Sequence, residues 1–211
     1  MQSTTVRVWI ACGLIYAAFF SWYTSFKGPL DAREIEAYMT HVTRAEAKTS
    51  PEARQRLRRF METDTGDDFV MLNAIDMYAK PLQIPGVGPT DSTQAVLDKY
   101  MQHMYPAMFA RASHPVFTGN AANSAIDLMN APNMEHWTMG AGIRYRSRRD
   151  FMDIVSNPDF VGSHDFKVAA LAKTIAYPMD PFYQLGDPRV VLALLLGLIA
   201  ALLSWRISTR P

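Results

Sequence analysis

The residues best suited to chemistry in this chain are one histidine, two arginines, one tyrosine and one asparagine. His164 follows a proline-containing break, and a histidine side chain can act as a base near neutral pH, so His164 is a candidate general base, or a side chain that caps or packs a broken helix. Arg144 and Arg146 lie on one side of a predicted strand and Tyr145 on the other, because side chains alternate along a strand. We expect these three residues to bind a substrate, with the arginines holding an anion, or the arginines to solvate an exposed face. Asn73 interrupts an apolar strand and could orient a ligand or hydrogen-bond a neighbouring loop.

The other residues that often bind metals or nucleotides lack the spacing that such sites need. His103, His114 and His136 do not form an H-x-x-x-H pattern, and the single cysteine, Cys12, lies in an apolar run. The segment Gly86-Val87-Gly88 lacks the third glycine and the short strand-to-helix turn of a dinucleotide fingerprint. We therefore expect no metal and no cofactor. The net charge of +1 gives no electrostatic case for binding nucleic acid.

The elements that position these residues begin at Phe69. From there the apolar pattern predicts the order β-α-β-β-α-β, a ferredoxin-like α+β domain over residues 66–180. A helix capped by Asp91 or Ser92 lies between the first two strands, and a broken helix capped by Ser147 lies between the last two. The strands are predicted over Phe69–Tyr78, His114–Phe117 with a continuation over Ser124–Met129, Trp137–Tyr145, and Thr174–Tyr177.

Two helices are predicted before the sheet, over residues 30–63. Asp31 and Glu34 have the spacing of a capping box. Ser50 and Pro51 start the second helix as an N-cap and a proline at the first helical position. We interpret this stretch as a helical linker.

Residues of about 55–180 resemble the dimeric α+β-barrel superfamily, and within it an uncharacterised group related to EthD-like and antibiotic-biosynthesis-monooxygenase-like domains. The matching residues after the third strand are Ser147, Arg148, Phe151, Pro158, Asp159, Phe160, His164, Ala170 and Leu171. The Asp64-x-Gly66 turn followed by Phe69–Asn73 is similar to that group's domain opening. The resemblance implies that two chains pair their sheets into a barrel and that each chain encloses a pocket between its sheet and its helices. The superfamily includes isomerases, cofactor-free oxygenases, haem enzymes and domains without a known activity.

Two apolar segments flank this domain, and the first runs from Val8 to Phe26 without a charged residue between Arg7 and Lys27. Nineteen residues at ~1.5 Å each reach about 28 Å, close to the thickness of a bilayer core. We predict a transmembrane helix over residues 6–26. A cleaved signal peptide is the alternative, but aromatic residues continue through the end of the run, where no small-residue cleavage site follows.

The second apolar segment runs from Val190 to Trp205 between Arg189 and Arg206. Sixteen residues reach about 24 Å, so a buried core helix is the alternative to a transmembrane helix over residues 188–206. The absence of a polar face and the ability of arginine to snorkel favour the membrane. Small residues in the two segments permit close helix packing; they are Gly13, Ala17, Ala193, Gly197 and Ala201.

Basic residues outside the two segments indicate the topology. Arg7, Arg206 and Arg210 favour cytoplasmic ends under the positive-inside rule, while Lys27 and Arg33 count against it. We therefore expect two spans in a bacterial-type inner membrane, with both termini cytoplasmic and the α+β domain on the periplasmic side.

Two functions fit these features. The first is a membrane-anchored binding or accessory subunit that presents a paired α+β-barrel domain, associating with a second copy or with a larger membrane complex. The second is a membrane-tethered enzyme, of the isomerase or cofactor-free oxygenase type, acting on a small apolar or lipid-derived substrate. In the second case His164 would be the base and Arg144 or Arg146 would hold the anion.

Overall fold

Four strands form one antiparallel sheet in the order β2-β3-β1-β4. The computed structural model describes residues 2–45, 50–157, 160, 162–182, 184 and 186–209. The strands are β1 Phe69–Met77, β2 His114–Asn120, β3 Met139–Tyr145 and β4 Leu171–Met179. The helices among these residues are α1 Gln2–Tyr23, α2 Ala32–Ala45, α3 Pro51–Glu62, α4 Thr93–Phe109, α5 Arg148–Val155, α6 His164–Ala170 and α7 Pro188–Ser208. An α+β fold is therefore confirmed.

The chain divides into two compact units. The α+β unit is Phe26–Asp180, and the helical pair contains the residues up to Ser25 and from Pro181 onward. The sheet, α2 and α3 all belong to the α+β unit, so the stretch interpreted as a helical linker packs with the domain that it precedes.

The helices begin where local side-chain chemistry predicts. The Asp31 amide donates to Glu34 Oε2 and the Glu34 amide to Asp31 Oδ1, which confirms the capping box. Ser50 and Ser147 accept hydrogen bonds at the starts of α3 and α5, as expected of N-caps. Ser92, not Asp91, is the N-cap of α4.

One face of the sheet packs against helices. Odd-numbered residues of β1 face α4, α5 and α6, because side chains alternate along a strand. Phe69 and Tyr145 join Met104 and Met108 of α4 in one cluster, and Ile75 and Met77 join residues of α4 and α6 in a second. A third cluster joins α2 and α3 to α5; its buried members are Leu30, Ile35, Met39, Val42, Met61 and Met152.

The predicted continuation of the second strand over Ser124–Met129 is wrong. The strand β2 ends at Asn120, and residues 121–138 form a long connection to β3. Only scattered backbone bonds cross this connection, from the Ala121 amide to Thr138 O and from the Ala125 amide to Glu135 O. The side chain of Ile126 is 99% exposed, so alternation of apolar residues in this segment does not correspond to a buried face.

The helical pair consists of α1 and α7, which pack against each other. The guanidinium of Arg189, at the start of α7, lies 5.6 Å from the ring of Tyr23, at the end of α1. The two helices therefore run antiparallel. Thr4–Tyr23 and Pro188–Ser208, with 20 and 21 residues, are long and apolar enough to cross a membrane.

Candidate functional site

Arg144 is the most deeply buried polar residue among the predicted site residues. Its side chain is 1% exposed, its Nε lies 2.7 Å from Asp68 Oδ2, and its Nη1 donates to Ala112 O at 2.8 Å. The solvated-face interpretation of Arg144 is therefore wrong. The guanidinium joins the end of β3 to the residues that precede β1 and follow α4, and its substrate role stays a prediction.

Arg146 lies just after β3 and makes a two-bond ion pair with Asp150. Its Nε and Nη2 lie 2.8 and 2.7 Å from the two carboxylate oxygens of Asp150. Ser147 donates to the same carboxylate and accepts a hydrogen bond from the Asp150 amide. The carboxylate of Asp150 raises the pKa of Arg146 by stabilising its charged form. Arg146 thus braces the first turn of α5, and its predicted role in binding a substrate is untested.

Arg149 connects α5 to the start of α2. Its Nε and Nη2 lie 2.7 and 2.8 Å from Glu34 Oε1 and Oε2, and it donates further bonds to Gly28 O and Pro29 O. The hydrogen bond from Arg149 lowers the pKa of Glu34 to about 2. The same side chain therefore satisfies both a carboxylate and two backbone carbonyls of the segment that leads into α2.

Arg148 makes a parallel connection to α3. It donates to Thr63 Oγ1 at 2.7 Å and to Phe60 O, its Nε lies 3.7 Å from Asp64 Oδ1, and its guanidinium is 4.7 Å from the Phe60 ring. The four arginines of the segment 144–149 thus each have a carboxylate partner and hold α2, α3 and the sheet together. The sequence analysis did not predict the partners of Arg148 and Arg149. Two local signals were present: the arginine pair directly follows the N-cap Ser147, and Glu34 belongs to an acidic capping box.

The helix-covered face of the sheet carries the remaining predicted site residues. Asn73 is half-buried, and its Nδ2 lies 3.0 Å from Met71 O and 3.4 Å from Ala141 O. The amide of Asn73 therefore bonds the backbone of its own strand and of β3. Arg144 pairs with Val70 on the opposite face, so within one chain Arg144 and Asn73 do not converge on one ligand.

An aromatic row lies on the same helix-covered face. The buried ring of Tyr145 stacks on Phe69 with centroids 5.4 Å apart, and its burial raises the pKa of the phenol. Burial also raises the pKa of Tyr100 to about 12. The exposed His164, at the first position of α6, places its ring 6.5 Å from Tyr100, edge to face. His164, Tyr100 and Tyr145 are thus brought to one side of α4, and His164 is the member at the surface.

Among the described residues, no hydrophobic cluster joins the other face of the sheet to a helix, and we call it the open sheet face. Most of its residues are apolar, and Val70 with Arg144 and Asp76 with Lys173 lie toward its two ends. The other residues on it are Leu72, Ala74, Phe117, Gly140, Gly142, Ile175, Tyr177 and Met179. Phe117, Ile175, Tyr177 and Met179 are 51%, 38%, 47% and 39% exposed. The Phe117 ring covers Gly142, where a Cβ would lie 2.3 Å from a ring carbon. Exposed large apolar side chains on one sheet face are typical of a protein–protein contact surface.

In the helical pair, the buried small residue is Ala200, which is 0% exposed. Gly13, Ala17, Ala193 and Ala201 are exposed, and nothing lies within 4 Å of the positions that a Cβ on Gly13 or Gly197 would take. The predicted small-residue positions thus lie off the contact between α1 and α7. They remain predictions for contact with another helix.

Among the described residues, no group of three or more His, Cys, Asp and Glu side chains could hold a metal ion. The predicted motif residues Pro158 and Asp159, and the basic flank Arg210, lie outside the described residues.

No protein-family model and no curated protein matches this chain. The fold is similar to the crystal structure of RPA0582, a protein of unknown function from Rhodopseudomonas palustris, with a TM-score of 0.52 and 17% identity over 65% of this chain and 97% of that one. The methylated form of RPA0582 matches with the same TM-score and identity over 66% and 96% of the two chains. A third similar structure is At3g17210 from Arabidopsis thaliana, with a TM-score of 0.34 and 13% identity over 56% of this chain and 98% of that chain. At these identities the likeness to RPA0582 shows a shared fold, a four-stranded antiparallel sheet with helices.

Proposed function

We propose that this chain is a membrane-anchored binding or accessory subunit that pairs its α+β domain with a second copy. The observation that carries the proposal is the exposure of α1 and α7, whose apolar residues point outward around both helices. Leu14, Leu194 and Trp205 are 67%, 69% and 68% exposed. Burying a leucine side chain is worth about 1.5–3 kcal/mol, so a helix pair with this surface is far more stable in lipid than in water.

The antiparallel packing of α1 and α7 fits a two-span anchor. If both helices cross one bilayer, both chain termini lie on one side and the α+β unit on the other. The arginines at the outer ends, Arg7 and Arg206, favour the cytoplasm for the termini. We place the α+β domain on the periplasmic side of a bacterial-type inner membrane.

The strand order supports a ferredoxin-like interpretation of the domain. The order β2-β3-β1-β4, with α4 between the first two strands and α5 and α6 between the last two, is the arrangement expected of a β-α-β-β-α-β unit. We propose that it belongs with the dimeric α+β barrels, in the group related to EthD-like and antibiotic-biosynthesis-monooxygenase-like domains.

Pairing through the open sheet face is the second part of the proposal. Most residues of that face are apolar. Gly140 and Gly142 add no side chain to it, and the exposed ring of Phe117 lies over Gly142. A two-fold pair would bury the same patch on both chains, as isologous interfaces do. Gly13 and Ala201 of the helical pair are exposed, and with the half-buried Gly197 they offer a separate surface to a larger membrane complex.

Native mass measurement of the full chain, extracted in mild detergent and reconstituted in nanodiscs, tests the proposal. We expect a dimer, and we expect Ala74→Lys on the open sheet face to yield monomers because it places a charge in the apolar contact. The matched control is Gln102→Lys, an exposed position on α4 away from that face, which should remain dimeric. Recovery of the unaltered chain in the soluble fraction, or as a lone monomer in nanodiscs, would contradict the proposal.

A second candidate function, an enzyme for a small apolar or lipid-derived substrate, is favoured by the row of His164, Tyr100 and Tyr145. His164 stands at the exposed end of that row and is the candidate base. The His164→Ala variant tests it. Unchanged turnover of every substrate that the protein accepts would exclude His164 as the base, whereas a loss of turnover with an unchanged dimer mass would favour catalysis.

A further inference from the structure

The hydroxyl groups of Tyr145 and Tyr100 lie in an otherwise apolar layer between the sheet and α4. Tyr145 is 5% exposed, and its ring is held by stacking on Phe69 and by an edge-to-face contact with Phe151. Among the residues that the structure describes, no hydrogen bond joins either phenol to a partner. Buried hydroxyl groups in folded proteins are nearly always hydrogen-bonded. An unpaired phenol at this depth therefore favours a partner that comes from outside the chain.

Both phenols are hydrogen-bond donors at physiological pH. Burial raises the pKa of Tyr100 to about 12. Burial raises the pKa of Tyr145 as well, and the phenol of Tyr100 raises it further, which means that the two phenols are near each other. A carbonyl oxygen has two lone pairs and can accept two such bonds. A carboxylate would bring a full charge into an apolar layer, where two neutral donors do not balance it.

The helices leave part of this layer uncovered. Met71 and Ile143 lie on the helix-covered face and pack against the cluster around Phe69, but both are only half-buried. Tyr100 and Met101 of α4 are half-buried too, and they pack against both sheet clusters that involve α4. Apolar side chains therefore surround the two phenols and remain partly accessible from outside.

We infer that the helix-covered face binds a small apolar molecule that carries a neutral carbonyl oxygen, such as a ketone or an ester, and that this oxygen accepts hydrogen bonds from Tyr145 and Tyr100. The apolar body of the ligand lies against Met71, Ile143 and Met101. The inference rests on the second candidate function for the position of the site, and it narrows the ligand to one chemical class. It requires neither turnover nor the pairing of two chains.

Infrared spectroscopy of carbonyl probes with the full chain in nanodiscs tests this inference. The probes are acetophenone, methyl benzoate and 2-undecanone, each with an isotope-labelled carbonyl carbon. At least one of them should give a saturable carbonyl band at a lower frequency than in empty nanodiscs, because hydrogen bonds to the oxygen weaken the carbonyl bond. Titration of this band gives the Kd of the probe.

Two variants, Tyr145→Phe and Tyr100→Phe, each remove a single hydroxyl group. Each should weaken binding of the carbonyl probe by about two- to tenfold and move its band toward the frequency in empty nanodiscs. Ethylbenzene has the shape of acetophenone without the oxygen, so its affinity should be the same for the unaltered chain and both variants. The matched control is Tyr105→Phe, an exposed tyrosine on α4, which should change neither the band nor the Kd.

The stability of Tyr145→Phe separates ligand binding from a role in the fold. Its Tm should stay within about 2 °C of the unaltered chain, because no described residue loses a hydrogen bond. A larger fall in Tm with an unchanged Kd would assign the hydroxyl to the fold and overturn the inference.

The absence of a saturable band with all three probes, or an unchanged Kd in both phenylalanine variants, would also overturn the inference. Neither result alters the dimer mass, which tests the membrane-anchored subunit separately. A shifted band together with unchanged turnover in His164→Ala would support the carbonyl site and exclude His164 as the base.

Discussion

Replacing Arg144 with methionine should destabilise the α+β unit strongly, because Arg144 is buried with two partners. The guanidinium is 1% exposed, and the change would leave the Asp68 carboxylate and the Ala112 carbonyl without their donor. Breaking a buried ion pair by removing one partner costs about 3–5 kcal/mol. Asp68 is 22% exposed, so water can reach part of it, and we expect about 3 kcal/mol. That is a large fraction of the ~5–15 kcal/mol by which a typical domain is stable.

Thermal unfolding of the full chain in nanodiscs, followed by near-ultraviolet circular dichroism, measures this loss. For a domain of about 150 residues, 1 kcal/mol shifts Tm by about 2–4 °C, so Arg144→Met should lower Tm by about 6–12 °C. The Tm of Arg144→Lys should lie between those of the unaltered chain and Arg144→Met. An ammonium group keeps the positive charge, but it lacks the planar fork with which a guanidinium reaches both partners. The matched control is Arg56→Met, an exposed arginine on α3, which should change stability by less than about 0.5 kcal/mol.

A result that refutes this reasoning is a Tm for Arg144→Met within about 2 °C of the unaltered chain. Such a result would mean that Arg144 is not a structural tie. If the same variant also lost binding of an anionic ligand, the predicted role of Arg144 in substrate binding would be favoured instead.

Three further predictions concern single residues. The pKa of Glu34 is lowered from 4.5 to about 2, so its bond to Arg149 adds stability above about pH 4.5 that is lost as the pH falls toward 2; after discounting for solvent screening this is about 1–2 kcal/mol. Glu34→Gln should flatten the loss of unfolding free energy between pH 5 and pH 3 in denaturant titrations, and parallel curves for the two proteins would contradict this. Gly66→Ala should cost about 2 kcal/mol or more, because Gly66 has a φ of +86° and an added Cβ would lie 2.6 Å from Gly28 C; urea unfolding measures this, and a loss below about 0.5 kcal/mol would contradict it. Gly142→Val should displace the ring that lies over this glycine and weaken the dimer in native mass spectra, and a full dimer fraction would contradict that expectation.

The parts of the fold that the sequence predicts are those set by neighbouring residues. Ser147 accepts the Asp150 amide at the start of α5, and the capping box at Asp31 and Glu34 forms as expected, because each signal involves residues within one helical turn. The strand β1 ends at Met77, one residue before the predicted end.

The parts that the sequence does not predict depend on residues far apart in the chain. Arg149 bonds Glu34 across 115 positions. Each residue lies in a recognisable local motif, the residues after an N-cap and a capping box, but neither motif indicates that the two are paired. The side-chain alternation at Ser124–Met129 is typical of a strand, but a strand also needs a partner, and none of the described strand pairs includes a residue of this segment. In α7 the spacing of small residues favours Ala201, whereas the buried residue is its neighbour Ala200, since the contact with α1 sets which face turns inward.

The basic segment 144–149 therefore has a structural role that its described contacts account for. Each arginine of the segment 144–149 has a carboxylate partner, from Asp68 to Glu34. Arginines that are bound in this way hold α2 and α3 against α5 and fix the end of the sheet from which the chain leaves toward α1 and α7. The surfaces left for recognition are then the open sheet face, the exposed side chains of Ile126, Leu128 and Met129, and the exposed end of the aromatic row at His164. The large exposed apolar side chains on the open sheet face support our proposal that two chains pair through it, ahead of catalysis.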